Sequence, residues 1–176
     1  MKQGEYTNIS NWIKEGSVDF GFVTPDAADG LTVVPLKKDE MMAVLNINNP
    51  LAKKETVSLE ELAEYSYILL DEGKVSEPME YFKKDQITPN IQYIVFDDYT
   101  IMSMVENDMG VSVLPNLVLS RHAHNIVIKK LSPRIERTIA LAYRNKNVLP
   151  IASRFFIDFI LEQKNGLISQ KASRIN

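Results

Sequence analysis

The sequence predicts an α/β protein with largely parallel sheets, and three observations lead there. Short apolar runs alternate with amphipathic helical segments almost from end to end, the order that layers helices onto sheets. Hydrophobic residues make up 45% of the 176 and charged residues 24%, an ordinary ratio for a chain that buries a core. No internal repeat or low-complexity stretch interrupts the alternation. The length suits one domain or two small lobes.

The elements follow in order. Thr7 is a candidate N-cap for a helix in which Ile9, Trp12 and Ile13 recur at i, i+3 and i+4, and Gly16 ends it. Val18–Val23 is an apolar run suited to a buried strand, broken by Thr24-Pro25-Asp26. Leu31–Pro35 and Met41–Leu45 read as two further strands, and Asn48-Asn49-Pro50 as a turn. Ser58-Leu59-Glu60-Glu61 is a capping box opening a short helix that turns Leu59 and Leu62 inward. Tyr65–Leu70 is a strand ending at Asp71-Glu72-Gly73, and Ser76 caps a helix whose inner face is Met79 and Phe82.

Ile91–Phe96 is a strand. Asp97 or Asp98 then caps a helix with Ile101, Met104 and Val105 inward, closed by Gly110 as a C′ glycine. Val111–Leu114 is a strand and Pro115 starts a short helix. Ile126–Leu131 and Thr138–Tyr143 are strands, and Pro150 suits N1 of a last helix. That helix buries Ala152, Phe155, Phe156, Phe159 and Ile160, and the tail from Ser169 is polar and frayed.

Charge and composition exclude several functions. The net charge is −3 and the pI about 5.5, which speaks against a phosphate-binding groove as the main feature. The chain has no cysteine, so disulfides, zinc thiolates and cysteine nucleophiles are ruled out. Residues 1–16 lack the apolar core of a secretory signal, and no apolar run is long enough to span a membrane.

The phrases NWIKEGSVDFGFV, LTVVPLKKDEMMAVLNINNPLA, VSLEELAEYSYILL, VENDMGVSVLPNLV and ASRFFIDFI, in that order and spacing, resemble the effector-binding domain of LysR-type transcriptional regulators over roughly residues 8–163. The resemblance implies two Rossmann-like lobes, similar to the type 2 periplasmic binding proteins, flanking a cleft. Lobe one would be residues 1–38 plus 138–176 and lobe two 39–137, with crossovers near Lys38–Met41 and Pro133–Arg137. Members of that family carry a winged helix-turn-helix and a linker helix ahead of this region. DNA contact is therefore expected only through an N-terminal domain absent here. Lobe one is expected to lack its first strand and helix, with Lys2–Tyr6 as the end of the second strand. The resemblance further implies a cytoplasmic homo-oligomer that binds a small-molecule effector without a membrane or a cofactor.

Ligands of open α/β sheets bind beyond the carboxyl ends of strands, where helix N-termini also point. Thr24 with Pro25, Leu70 with Asp71, and Tyr99 with Thr100 meet that condition, and the resemblance puts them and Pro115 at the cleft. The plainer alternatives are a strand-end hydroxyl at Thr24, a first-turn cap at Thr100 and a solvated turn at Asp71 and Glu72. Acidic side chains there would disfavour an anionic effector.

Other motifs carry less. Gly110-Val111-Ser112-Val113-Leu114 lacks the second glycine of a nucleophile elbow, and Ser112 lies in an apolar strand. His122 and His124 share one face of an extended segment but have no third His or Cys ligand, so a surface loop is preferred over a metal site. Lys129, Lys130, Arg134 and Arg137 form a small basic patch, read as a solvated edge or a subunit contact. Trp12, Phe155, Phe156 and Phe159 have core spacing rather than that of a ligand box. The rival functions are a solute-binding protein of the same architecture, a hydrolase and an oligomerisation fragment.

Overall fold

A computed structural model of the chain describes residues 1–73, 76–120 and 123–172, with side chains described as far as Lys164. The chain divides into two compact units, Met1–Lys37 with Thr138–Asn176, and Lys38–Arg137. Both divisions fall inside strands, β2 (Thr32–Asn46) and β8 (Glu136–Tyr143).

In the first unit, α1 (Tyr6–Glu15) ends at Gly16, whose left-handed backbone (φ 79°) lets its amide return to the Ile13 and Trp12 carbonyls. Its N-cap is Glu5 with no side-chain bond, so Thr7 lies inside the helix rather than capping it. Residues 1–5 form no regular element and Tyr6 is helical, which overturns the strand expected at Lys2–Tyr6. Strand β1 (Phe20–Val23) pairs antiparallel with β8, Phe20 opposite Tyr143 and Val23 opposite Ala140. Among the described residues β1 pairs on that side only. Ile13, Val23, Ala28 and Ala142 form one buried cluster; Leu141, Tyr143, Leu149 and Ile157 form another that also takes in Phe20.

Helix α6 (Ile151–Ala172) follows Pro150, whose carbonyl accepts from the Arg154 amide. Among its described side chains the buried one is Ile157, at 0% exposure, with Ile160 and Leu161 packed on the same cluster. Phe155, Phe156 and Phe159 are 71%, 46% and 55% exposed, and Ala152 is exposed too, so the aromatic stripe expected in the core faces outward. Only Phe156 makes an aromatic contact, stacking on Phe20 with ring centroids 5.2 Å apart. Trp12, from the same aromatic set, is half-buried, with the Lys2 ammonium 5.1 Å over its ring.

The second unit holds the larger core. The segments expected as two strands, Leu31–Pro35 and Met41–Leu45, are one, because the charged run Lys37-Lys38-Asp39-Glu40 continues β2 instead of breaking it. Past that run β2 pairs antiparallel with β6 (Ser112–Pro115) and with β7 (Ile126–Leu131). Strand β3 (Thr56–Val57) adds to β7 in parallel. Strands β4 (Ser66–Leu70) and β5 (Asn90–Val95) form a parallel pair, and Tyr67 bridges Val111 in parallel. Sheet pairing is thus mixed rather than largely parallel.

Helix α2 (Leu59–Ala63) has the full capping box, with Ser58 accepting from the Glu61 amide and Glu61 reaching back, and Leu59 and Leu62 are buried. Helix α3 (Glu77–Lys84) follows Ser76, which makes no cap hydrogen bond, and buries Phe82 edge-on to Tyr67. Asp97 caps α4 (Asp98–Glu106), which buries Ile101, Met102 and Val105. Gly110 is not the C′ glycine of α4, since the left-handed residue there is Asp108 (φ 58°). It is glycine for space: a Cβ would stand 2.4 Å from the Ser66 carbonyl oxygen.

Candidate functional site

The candidate residues fall in both units. In the first, Thr24 directly follows the carboxyl end of β1 and precedes a single 3-10 turn at Pro25–Ala27. Thr24 is only 2% exposed, and its Oγ1 is buried with no hydrogen-bond partner among the described residues. Pro25 is half-buried beside it. A buried hydroxyl is nearly always paired in a folded protein, so this orphan stands out among the polar groups of the unit.

In the second unit, strand direction gathers the rest. β4 and β5 are parallel, and β6 runs parallel to β4 through the Tyr67–Val111 bridge, so all three carboxyl ends reach one edge. Leu70 ends β4, buried, and Asp71 follows it. The Asp71 amide donates to Val95 at 2.9 Å, while its carboxylate accepts from the Gly73 amide in a local turn. Tyr99 and Thr100 lie in the first turn of α4, both exposed. Pro115 ends β6, buried, opposite Met41.

The helix end is not an open anion site. Asp97 Oδ2 accepts from the Thr100 amide at 2.7 Å and from the Thr100 hydroxyl at 2.8 Å, so a carboxylate of the chain already meets that part of the dipole.

A charged cluster sits at the same edge. Arg137 is 7% exposed, with Nε 3.4 Å from Asp39 Oδ2 and Nη1 3.1 Å from Glu72 Oε1. Asp39, 4% exposed, also accepts from the Leu117 amide at 3.1 Å. Burial pushes the Glu72 carboxyl above its ordinary value, against the pull of Arg137, and Glu77 and Asp98 push it the same way. Burial likewise raises Asp98, whose Oδ1 is buried without a partner among the described residues.

Arg137 therefore leaves the basic patch in which the sequence grouped it. Arg134 is tied to Glu40 and Glu136, and Lys130 is exposed. Nothing local in the sequence pairs Arg137 with Asp39, since 98 positions separate them. Glu72 was visible only as a strand-end carboxylate.

The remaining motifs have structural places. Ser112 is fully buried and its hydroxyl donates to the Ile68 carbonyl at 2.7 Å, holding β6 beside β4. His124 Nδ1 lies 2.9 Å from Glu106 Oε2, while His122 is outside the described residues. Among the described residues no group of three His, Cys, Asp or Glu side chains could hold a metal, and no helix is long and apolar enough to cross a membrane.

Comparison with known proteins gives one consistent result. The model of the LysR substrate binding domain matches residues 1–165. An uncharacterized HTH-type transcriptional regulator of Bacillus subtilis, YvbU, is 24% identical over 92% of this chain and 56% of its own length. The transcriptional dual regulator GltC of Bacillus subtilis is 24% identical over the same shares. The chain spans little more than half the length of the curated relatives it matches. Among solved structures, the effector binding domain of QuiR in complex with shikimate superposes with a TM-score of 0.82 at 26% identity, over 93% of this chain and 80% of that one. The C-terminal domain of a probable LysR family regulator from Rhodococcus sp. RHA1 gives 0.79 at 23% identity, over 91% and 82%.

Proposed function

Because the chain belongs to the LysR substrate-binding domain family, we propose that it senses a small-molecule effector and thereby controls a LysR-type transcriptional regulator. The candidate effector contacts are Thr24 and Pro25 in the first unit and Leu70, Asp71, Tyr99, Thr100 and Pro115 in the second. The observation that carries this site is the Thr24 hydroxyl, buried and unpartnered at the carboxyl end of a strand. A ligand group bonded to it would remove the cost of that orphan, which is about 1–3 kcal/mol. The QuiR domain, with its shikimate, supports a metabolite of similar size. The carboxylates of Asp71, Glu72, Asp97 and Asp98 around the second set disfavour an effector whose anionic charge faces them.

Binding acts through differential affinity for two arrangements of the protein, since equal affinity would shift nothing. In the whole regulator that shift reaches DNA through an N-terminal DNA-binding domain. The protein works as a cytoplasmic homo-oligomer. Exposed Phe155, Phe156 and Phe159 and the one-sided pairing of β1 support self-association. It is not an enzyme, in keeping with a Ser112 hydroxyl already given to a backbone carbonyl.

Thermal melts against shikimate, small carboxylates, amino acids, aromatic acids and sugar phosphates test this. A ligand at a hundred times its Kd adds about 2.7 kcal/mol. That is a rise in Tm on the order of 5–10 °C for a chain of this size. Thr24→Ala and Thr100→Val should abolish the rise. A cooperative melt that no compound moves, in a stable oligomer, would favour the oligomerisation fragment instead.

A further inference from the structure

From a pocket in the first unit we infer an anion-binding site, separate from the effector residues, for a small metabolite carrying a carboxylate or a phosphate. The pocket has a volume of about 560 Å³ and its walls include Gly30, Thr32, Arg144, Asn145 and Lys146. Its place follows from strand register. Tyr143, the last residue of β8, is opposite Phe20 at the amino end of β1, whereas Thr24 follows Val23 at the carboxyl end. The two ends of that pair are about 10 Å apart at 3.3 Å per residue. The pocket and Thr24 therefore lie at opposite ends of the same strands.

Arg144 defines the chemistry. Its Nε is buried with no hydrogen-bond partner, and no ion pair holds the guanidinium among the described residues. A guanidinium is always charged and its fork of donors fits a carboxylate or phosphate two bonds at a time, so an unmatched one in a pocket wall asks for an oxyanion. Gly16 provides the room: a Cβ there would stand 3.0 Å from Arg144 Nη2. The neighbours reinforce the sign. Lys146 adds a second cation to the wall and is itself paired with Asp158. The Asn145 side-chain oxygen is used by the Asn147 amide, which leaves its NH₂ to donate. Gly30 has a positive φ of 73° and nothing within 4 Å of where a Cβ would be, so the mouth there is open. The volume exceeds that of a bare ion and falls in the range of small-metabolite pockets.

The test is a titration of the chain with sodium phosphate and, separately, sodium acetate at constant ionic strength, followed by amide chemical shifts. Saturating shifts at Gly30, Thr32, Asn145 and Lys146 are expected. Phosphate alone, acetate alone or both would say which oxyanion the site takes. Arg144→Met should weaken binding roughly tenfold or more, the scale of a lost charge-assisted bond. Arg144→Lys keeps the charge without the fork and should fall between; it serves as the variant if Arg144→Met does not fold. Equal binding by the parent and either Arg144 variant, scattered non-saturating shifts, or no response to either salt overturns the site. None of these results bears on the effector residues, which are read by the Thr24 and Thr100 variants.

Discussion

Arg137 and Asp39 form a charged pair whose side chains are 7% and 2% exposed, with 3.4 Å between Nε and Oδ2. They stand at opposite ends of the second unit's sequence, next to the two points where the chain passes into the first. The pair therefore ties β2 to β8 at the entry and exit of that unit. Removing one partner strands the other charge in a poorly solvated place, which typically costs 3–5 kcal/mol. Arg137→Met should lower the unfolding free energy of the second unit by about 3 kcal/mol, since Asp39 keeps its bond from the Leu117 amide. Urea denaturation measures it, and a loss under about 1 kcal/mol, the range of an exposed pair, would mean that water reaches the site.

Glu72 gives a pH signature. Its carboxyl titrates above the ordinary 4.5 in the folded state, first because of burial, with Arg137 pulling the other way. Over a window opening at about 4.5 the folded protein holds a proton that the unfolded chain has released. Stability from this group is full below that window and lost as pH rises through the folded value. Tm should therefore fall as pH rises above 4.5, and Glu72→Gln should remove part of that fall. Asp98→Asn should remove another part, because Asp98 is shifted the same way. Glu61 has the opposite sign: bonds from Lys54 and the Ser58 amide lower its pKa, so its stabilisation is lost on acidification below the ordinary range. A Tm profile identical for parent and both variants would sink the assignment.

Gly110 is required for close approach rather than for backbone freedom. An added Cβ would lie 2.4 Å from the Ser66 carbonyl oxygen, and backbone on both sides leaves little to give. The Val111 amide donates to that same oxygen at 2.8 Å, so relief would break a bond between β4 and the entry to β6. Gly110→Ala should cost about 1–3 kcal/mol, read from the urea midpoint.

Ser112→Ala removes a fully buried hydroxyl and leaves the Ile68 carbonyl without its 2.7 Å donor. About 1–3 kcal/mol of stability should go. Effector affinity should stay within about twofold by calorimetry, the residue being interior to the sheet. Loss of a turnover reaction in this variant would instead revive the hydrolase reading.

The fold class was legible because its signals are local. The Ser58–Glu61 capping box, the Gly16 stop and the strands ending at Val23 and starting at Ile126 each depend on neighbours within a few residues. Features decided by distant parts of the chain were not. The charged run Lys37–Glu40 separates two strands in the sequence reading, yet long-range pairing with β6 and β7 beyond it accompanies β2 as one strand. Antiparallel pairing of β1 with β8 leaves no mark on either strand alone. At the candidate site, strand ends announce Thr24, Leu70 and Pro115, but the missing partner of Thr24 and the Asp39–Arg137–Glu72 cluster arise only from tertiary contacts.

Helix α6 shows the same limit and offers its own test. Phe155, Phe156 and Phe159 have the spacing of a buried stripe, yet the helix is rotated so that Ile157 faces the core with Ile160 and Leu161. What turns it that way is the stacking of Phe156 on Phe20 and the fit of Ile157 against Leu141, Tyr143 and Leu149. Ile157→Ala should therefore cost about 2–5 kcal/mol, the range for emptying a filled core position. Phe155→Ala, at 71% exposure, should change stability by no more than about 0.5 kcal/mol. Both are read by urea denaturation at concentrations low enough to keep the protein dispersed, and repeated tenfold higher. If Phe155→Ala is silent when dilute but costs stability when concentrated, the aromatic face is buried between copies. If Phe155→Ala is the more damaging variant at every dilution, the helix is rotated about its axis from the orientation described, and Phe155 belongs to the core.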